Sequence, residues 1–158
     1  MVGIILIIIA IIVLAWAIRR EVVKGYSSIS FREAMDLTEL PVITMSSNGI
    51  KINMLLDTGS NSSYIGASVI EKLNYTEVEG TNTTYGFGGA ITNSKCCSLK
   101  LGYKKLEFED DFIIMDSDSV FNAIKSTYGV QVHGIIGSRF FEKYSYAIDF
   151  KDFIAYIR

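Results

Sequence analysis

Three patterns of hydrophobic and polar positions divide the chain. Residues 2–18 (VGIILIIIAIIVLAWAI) are apolar without a break and without a charge. A run with no polar face is not the stripe of a surface helix, and so uniform a segment does not read as a buried core helix either. Its length is at the short end of the roughly 17–25 residues that cross a bilayer. Trp16 stands where an interfacial aromatic anchors, and Arg19 and Arg20 close the run. The expectation is one transmembrane helix over residues 1–20, membrane contact being made by residues 2–18. A cleaved signal peptide is the competing reading: Ala15-Trp16-Ala17 has the small-x-small form, but no basic segment precedes the apolar run.

Residues 21–39 are polar and carry both charges, and read as a juxtamembrane linker with a helical turn near Phe31–Met35. From Leu40 to Arg158 short apolar stretches alternate with Gly, Asn, Asp and Ser, which predicts a mostly β domain. Pro41–Met45 and Ile50–Leu56 are joined through Ser46-Ser47-Asn48-Gly49, where Asn-Gly is a strong hairpin signal. Cys96–Leu101 and Leu106–Met115 form a second strand pair, with Gly102-Tyr103-Lys104 as the expected turn. Tyr146–Phe150 and Phe153–Ile157 form a third, turning at Lys151-Asp152. Short helices are predicted over Ala67–Leu73, Ser119–Tyr128 and Ser138–Tyr144. At 158 residues there is room for one such domain.

Charge changes the picture by exclusion. The net charge is −2 with both signs scattered, and no basic stripe exists beyond the pair after the apolar run, so nucleic acid is not an expected partner. Arg19, Arg20 and Lys24 all follow that run, so positive-inside reasoning places the domain on the cytoplasmic side of a single-pass protein. The two cysteines, Cys96 and Cys97, are adjacent and cannot staple a framework; they read as small buried apolar residues. Sequons at Asn61, Asn74 and Asn82 read as fortuitous, since a glycan on Asn61 would crowd the turn described next. No metal site and no cofactor are expected. One His and two adjacent Cys lack ligand spacing, and Gly86-Phe87-Gly88-Gly89 lacks the Lys-Ser/Thr and helix of a phosphate loop. His133 reads as a structural or rim residue rather than a base.

What remains is carboxylate chemistry. The strand Ile50–Leu56 runs directly into Asp57-Thr58-Gly59-Ser60, an acid at a tight turn. Downstream come Thr84-Tyr85-Gly86-Phe87-Gly88-Gly89, then His133-Gly134-Ile135-Ile136-Gly137, then Phe140-Phe141 and Tyr146–Phe150. This order resembles the aspartic proteases over about residues 40–158. The Tyr-Gly-x-Gly stretch is similar to pepsin's flap, while the single Asp-Thr-Gly and the short chain look like the half-size retropepsins. His133 departs from the pattern, since pepsin-like chains often carry Asp there.

The resemblance implies a retropepsin-like closed β-barrel with one or two short helices, and peptide hydrolysis through two aspartates sharing a proton. One copy of the turn per chain implies that the second aspartate comes from a second chain, a homodimer with Asp57 and its mate on a two-fold axis. By the same resemblance, Thr58 braces the paired loops and Gly59 lets the backbone approach the carboxylates. Ser60 donates to Asp57; Tyr85, Gly86, Phe87, Gly88 and Gly89 form a flap over an extended polypeptide substrate; Ile135, Ile136 and Gly137 support the turn from below. Two alternatives stay open: a non-catalytic dimeric peptide-binding module of the same fold, and a membrane-tethered adaptor.

Overall fold

Alternation of buried and exposed positions becomes regular from Val42 onward, and a barrel is built from it. The computed structural model describes residues 2–79, 84–86, 89–91, 95–116 and 118–158. Helix α1 (Val2–Ser27) leads to strand β1 (Ile29–Ser30) and helix α2 (Arg32–Thr38). Strands β2 (Val42–Ser47), β3 (Ile50–Leu56) and β4 (Ser63–Gly66) follow, then helix α3 (Ala67–Ile70) and strand β5 (Thr76–Val78). A small hairpin, β6 (Thr84–Gly86) and β7 (Gly89–Ile91), precedes the long pair β8 (Cys96–Tyr103) and β9 (Leu106–Met115). Helix α4 (Asp118–Tyr128), strand β10 (Gly134–Ile136), helix α5 (Ser138–Lys143) and strands β11 (Tyr146–Asp149) and β12 (Ile154–Ile157) complete the chain.

The main sheet runs β2-β3-β10-β4-β9-β8-β5, and β2 also pairs with β8 at Ser46↔Gly102. That contact closes six strands into a barrel, with β5 attached outside β8. The Ser46 hydroxyl donates to the Gly102 carbonyl at the seam, 3.2 Å away. Inside lie Ile43, Met45, Ile52, Met54, Ile65, Leu99, Leu101, Phe108, Phe112 and Ile136. They are the alternate positions of their strands, as a one-sided pleat requires. The mostly β, closed-barrel expectation is met.

Local turn chemistry accounts for two of the hairpins. β2 and β3 pair from Val42↔Leu55 to Ser47↔Ile50, leaving Asn48-Gly49 as the turn, both at positive φ (49° and 80°). Asn and Gly tolerate that region at low cost, so the turn is sharp. Between β8 and β9 the register Tyr103↔Leu106 makes the turn Lys104-Lys105, with Lys104 at φ 53°. The expected turn at Gly102-Tyr103-Lys104 is therefore corrected: Gly102 and Tyr103 are paired strand residues because Gly102 is needed at the barrel seam.

Residues 29–38, expected within a connector, are part of the folded body. β1 pairs antiparallel with β12 (Ile29↔Ala155), and Ile29 and Phe31 are 2% and 1% exposed. Alternate apolar residues bracketed by Ser and Arg were enough to build a strand once a partner edge was available. The Ser27 hydroxyl donates to the Ile157 carbonyl, which ties the end of α1 to the same sheet. The expected transmembrane helix is not established. Among the described residues no helix is long and apolar enough to cross a membrane.

Candidate active site

Asp57 ends β3 at the point where β10 has been threaded between β3 and β4. β10 runs parallel to β3 (Ile136↔Leu56) and antiparallel to β4 (Ile135↔Tyr64). The half-buried Asp57 therefore leaves the sheet with its amide still bonded to the Ile136 carbonyl, at 3.0 Å. The next residues turn back: the Ser60 amide donates to the Asp57 carbonyl at 3.3 Å, and the Gly59 amide donates to Asp57 Oδ1 at 2.9 Å. A Cβ on Gly59 would lie 3.2 Å from that same Oδ1, so the close approach expected of Gly59 is present. Thr58 is exposed on the turn.

Below the turn, the segment after β10 is pressed against it. The Ser138 amide donates to the Ser60 carbonyl (2.8 Å) and the Arg139 amide to the Asn61 carbonyl (3.4 Å). A Cβ on Gly137 would stand 2.3 Å from the Ser62 carbonyl oxygen, so only glycine allows this approach. Of the three residues expected as support, Ile136 is wholly buried with its carbonyl on the Asp57 amide and Gly137 is buried on the Ser62 backbone, while half-buried Ile135 is paired with Leu55 and Tyr64 in the neighbouring strands.

Ser60 is placed differently from expectation. Its hydroxyl donates to the Ser62 carbonyl at 2.8 Å, two residues on, rather than to Asp57. A short hydroxyl side chain in a turn competes for local backbone acceptors, and here the backbone wins. His133 is a structural residue. Its Nδ1 accepts the Asn53 amide at 2.9 Å, while its own amide donates to the Asn53 carbonyl at 2.8 Å, which fixes β10 against β3 upstream of Asp57. Burial pushes the imidazole below its ordinary pKa, and the ammonium groups of Lys72 and Lys125 push the same way. Cys96 and Cys97 are buried; burial pushes the Cys97 thiol up to about 12, with Cys96 and Asp111 adding to the rise. In the expected flap, Thr84–Gly86 and Gly89–Ile91 do pair as a hairpin (Tyr85↔Ala90, Gly86↔Gly89), while Phe87 and Gly88 lie outside the described residues.

Sequence reasoning missed two polar residues beneath the turn. Ser63 is 2% exposed; its hydroxyl accepts the Gly137 amide at 3.2 Å and donates to Asp110 Oδ2 at 3.0 Å. Asp110 lies in Glu107–Asp111, which reads as an exposed acidic run. The period of two carries the missed signal, because Asp110 shares the inward face of β9 with Phe108 and Phe112, both buried. Burial raises its carboxyl pKa, offset by the Ser63 hydroxyl, the Lys143 ammonium 3.6 Å away and the Asp111 amide, with the Asp111 charge raising it further.

A closed six-stranded barrel with Asp-Thr-Gly at the end of a strand, braced by an apolar-apolar-Gly segment, defines an acid-protease type of fold. Residues 43–140 match the aspartyl protease family, and the chain belongs to that family. Solved structures agree on the fold. EIAV protease complexed with the inhibitor HBY-793 is 18% identical, with a TM-score of 0.50 over 68% of this chain and 90% of that one. The retroviral protease-like domain of Ddi1 from Leishmania major is 12% identical, with a TM-score of 0.52 over 75% and 87%. No curated protein matches the chain.

Proposed function

We propose that the protein is an aspartic endopeptidase whose catalytic pair is Asp57 and the Asp57 of a second copy. The observation that carries this reading is a single acid-bearing turn per chain, held by backbone bonds on both sides of Asp57. Two carboxylates a few ångströms apart cannot both ionise, so they share one proton. The ionised member takes a proton from water as the water oxygen attacks the scissile carbonyl carbon, and the protonated member gives its proton to the carbonyl oxygen. Collapse of the tetrahedral intermediate breaks the C–N bond as the leaving nitrogen takes up a proton. The Tyr85–Gly89 hairpin serves as the flap that closes over an extended polypeptide.

Membrane association through residues 2–18 belongs to the same proposal. From Ile4 to Ile18 the large apolar side chains are 51–65% exposed on every side of α1, an apolar surface that water does not favour. The proposed organisation is an anchor over 1–20 and a catalytic domain over 40–158 on the cytoplasmic side, joined through residues 21–39, of which 29–38 pack into the body of that domain. Tethering copies in one bilayer raises their effective concentration and favours the pair.

The test is cleavage of a peptide library by the full chain in detergent, from about pH 3 to 8, beside Asp57→Asn. Cleavage that vanishes in the variant while dimer mass persists, and that rises more steeply than linearly with enzyme concentration, is the expected result. An Asp57→Asn protein that still cleaves, or linear activity from a species of monomer mass, refutes the shared pair. Peptide binding without turnover in the wild type would instead favour the non-catalytic module.

A further inference from the structure

Among the described residues, the bonds that hold the Asp57–Ser63 segment against the segment after β10 are backbone to backbone, with one side-chain exception. That exception is the Ser63 hydroxyl, which accepts the Gly137 amide and donates to Asp110 Oδ2. A serine hydroxyl has one proton, so its direction is set by where the strongest acceptor lies. With Asp110 on one side taking that proton, a lone pair is left facing the Gly137 amide. Ser63 and Gly137 are both buried, so neither can exchange its partner for water without opening the turn. Lys143 stands 3.6 Å from Asp110 Oδ1 and also donates to the Glu109 carbonyl, which holds the carboxylate from the far side. Tyr144 adds a second clamp on the same strand, its hydroxyl accepting the Glu109 amide (2.8 Å) and donating to the Glu109 carbonyl (2.7 Å).

We propose that Asp110 is a positioning residue for the Asp57 turn, acting through Ser63 and Gly137. The inference rests on the peptidase reading for its effect on turnover, and on geometry alone for its effect on the turn. Asp110 does not touch the reacting atoms. It sets the hydroxyl that pins Gly137, and the residues flanking Gly137, Ile136 and Ser138, are bonded to Asp57 and Ser60 respectively. Loss of the carboxylate lets the Ser63 proton turn toward another acceptor, frees the Gly137 amide, and loosens the turn that must bring two aspartates into register. Sub-ångström looseness of this kind lowers the rate of the chemical step more than it weakens substrate binding.

The test measures amide hydrogen exchange at Gly137 and peptide turnover on the full chain in detergent. Asp110→Ala should speed exchange at Gly137 by about tenfold and lower kcat by about tenfold with KM little changed. Asp110→Asn, whose amide oxygen can still accept from Ser63, should recover most of both. Asp111→Ala, on the exposed face of the same strand, should change neither. Ser63→Ala removes the bridge from its other end and carries the same two readings should Asp110→Ala fail to fold. Wild-type exchange at Gly137 in Asp110→Ala, equal effects from Asp111→Ala, or no recovery in Asp110→Asn would overturn the proposal. If no Asp57-dependent cleavage is found, the peptidase reading fails separately, and the exchange data alone decide the role of Asp110.

Discussion

Gly137→Ala is the sharpest perturbation of the way the site is held. Gly137 has φ −93° and ψ 176°, which any residue adopts, so the demand for glycine is one of space. The added Cβ would meet the Ser62 oxygen at 2.3 Å, its carbonyl carbon at 2.5 Å and its nitrogen at 3.0 Å. All three are backbone atoms, so no rotamer change relieves the clash; one of the two segments must move by about 1 Å to reach ordinary contact distance. Such overpacking costs about 1–3 kcal/mol. The movement also strains three bonds, Gly137 to Ser63, Ser138 to Ser60 and Asp57 to Ile136, each contributing about 1 kcal/mol. A loss of about 4 kcal/mol follows if two are broken, a large share of the roughly 5–15 kcal/mol that stabilises a domain. At about 2–4 °C per kcal/mol for a chain of this size, the thermal midpoint should fall by roughly 10 °C. Circular dichroism melts of both proteins measure this, with activity assayed well below the mutant midpoint. A midpoint within about 2 °C of wild type, with unchanged turnover, would refute the reasoning. Gly59→Ala provides the contrast. Its Cβ meets only the Asp57 carboxylate, at 3.2 Å, so it should spare stability and act on activity.

Other consequences are as direct. His133 is neutral in the fold because Nδ1 accepts a backbone amide, and its pKa is lowered, so folding binds fewer protons than the unfolded chain does. Its contribution is complete above the unfolded value of about 6.5 and declines as pH falls below it, by at most about 1.4 kcal/mol per pH unit. Urea melts at about pH 7 and 5.5 should show the decline, and His133→Asn should remove this slope; equal slopes in both proteins would assign it to other groups. Ser60→Ala removes the bond to the Ser62 carbonyl, so it should cost about 1 kcal/mol of stability and leave the acid limb of the pH–rate profile in place. A shifted acid limb would show that Ser60 turns toward Asp57 when the second copy is present.

Features set by near neighbours were legible in the order of residues. Asn48-Gly49 specifies its hairpin because two adjacent residues must take positive φ, and the strand-into-Asp57 turn needs only its own glycine and the apolar run before it. The alternation of β3 and of β8 was likewise enough to mark the strands and their inward faces. Asp110 could have been assigned inward by the same rule, but three acids in a row conceal a period of two. Other features depend on contacts far along the chain, and local pattern does not encode which distant edge a segment meets. Pairing of Ile29-Ser30 with the last strand turned a polar connector into part of the body. Insertion of β10 between β3 and β4 placed Gly137 on the Ser62 backbone. The direction of the Ser60 hydroxyl was decided at shorter range, among acceptors too similar in energy for residue type to rank. Residue types therefore determined which acid, which turn and which barrel, because those follow from backbone preference and alternation. Tertiary structure decided what holds the acid still, because Ser63 and Asp110 are 47 residues apart and meet only once β4 and β9 have paired.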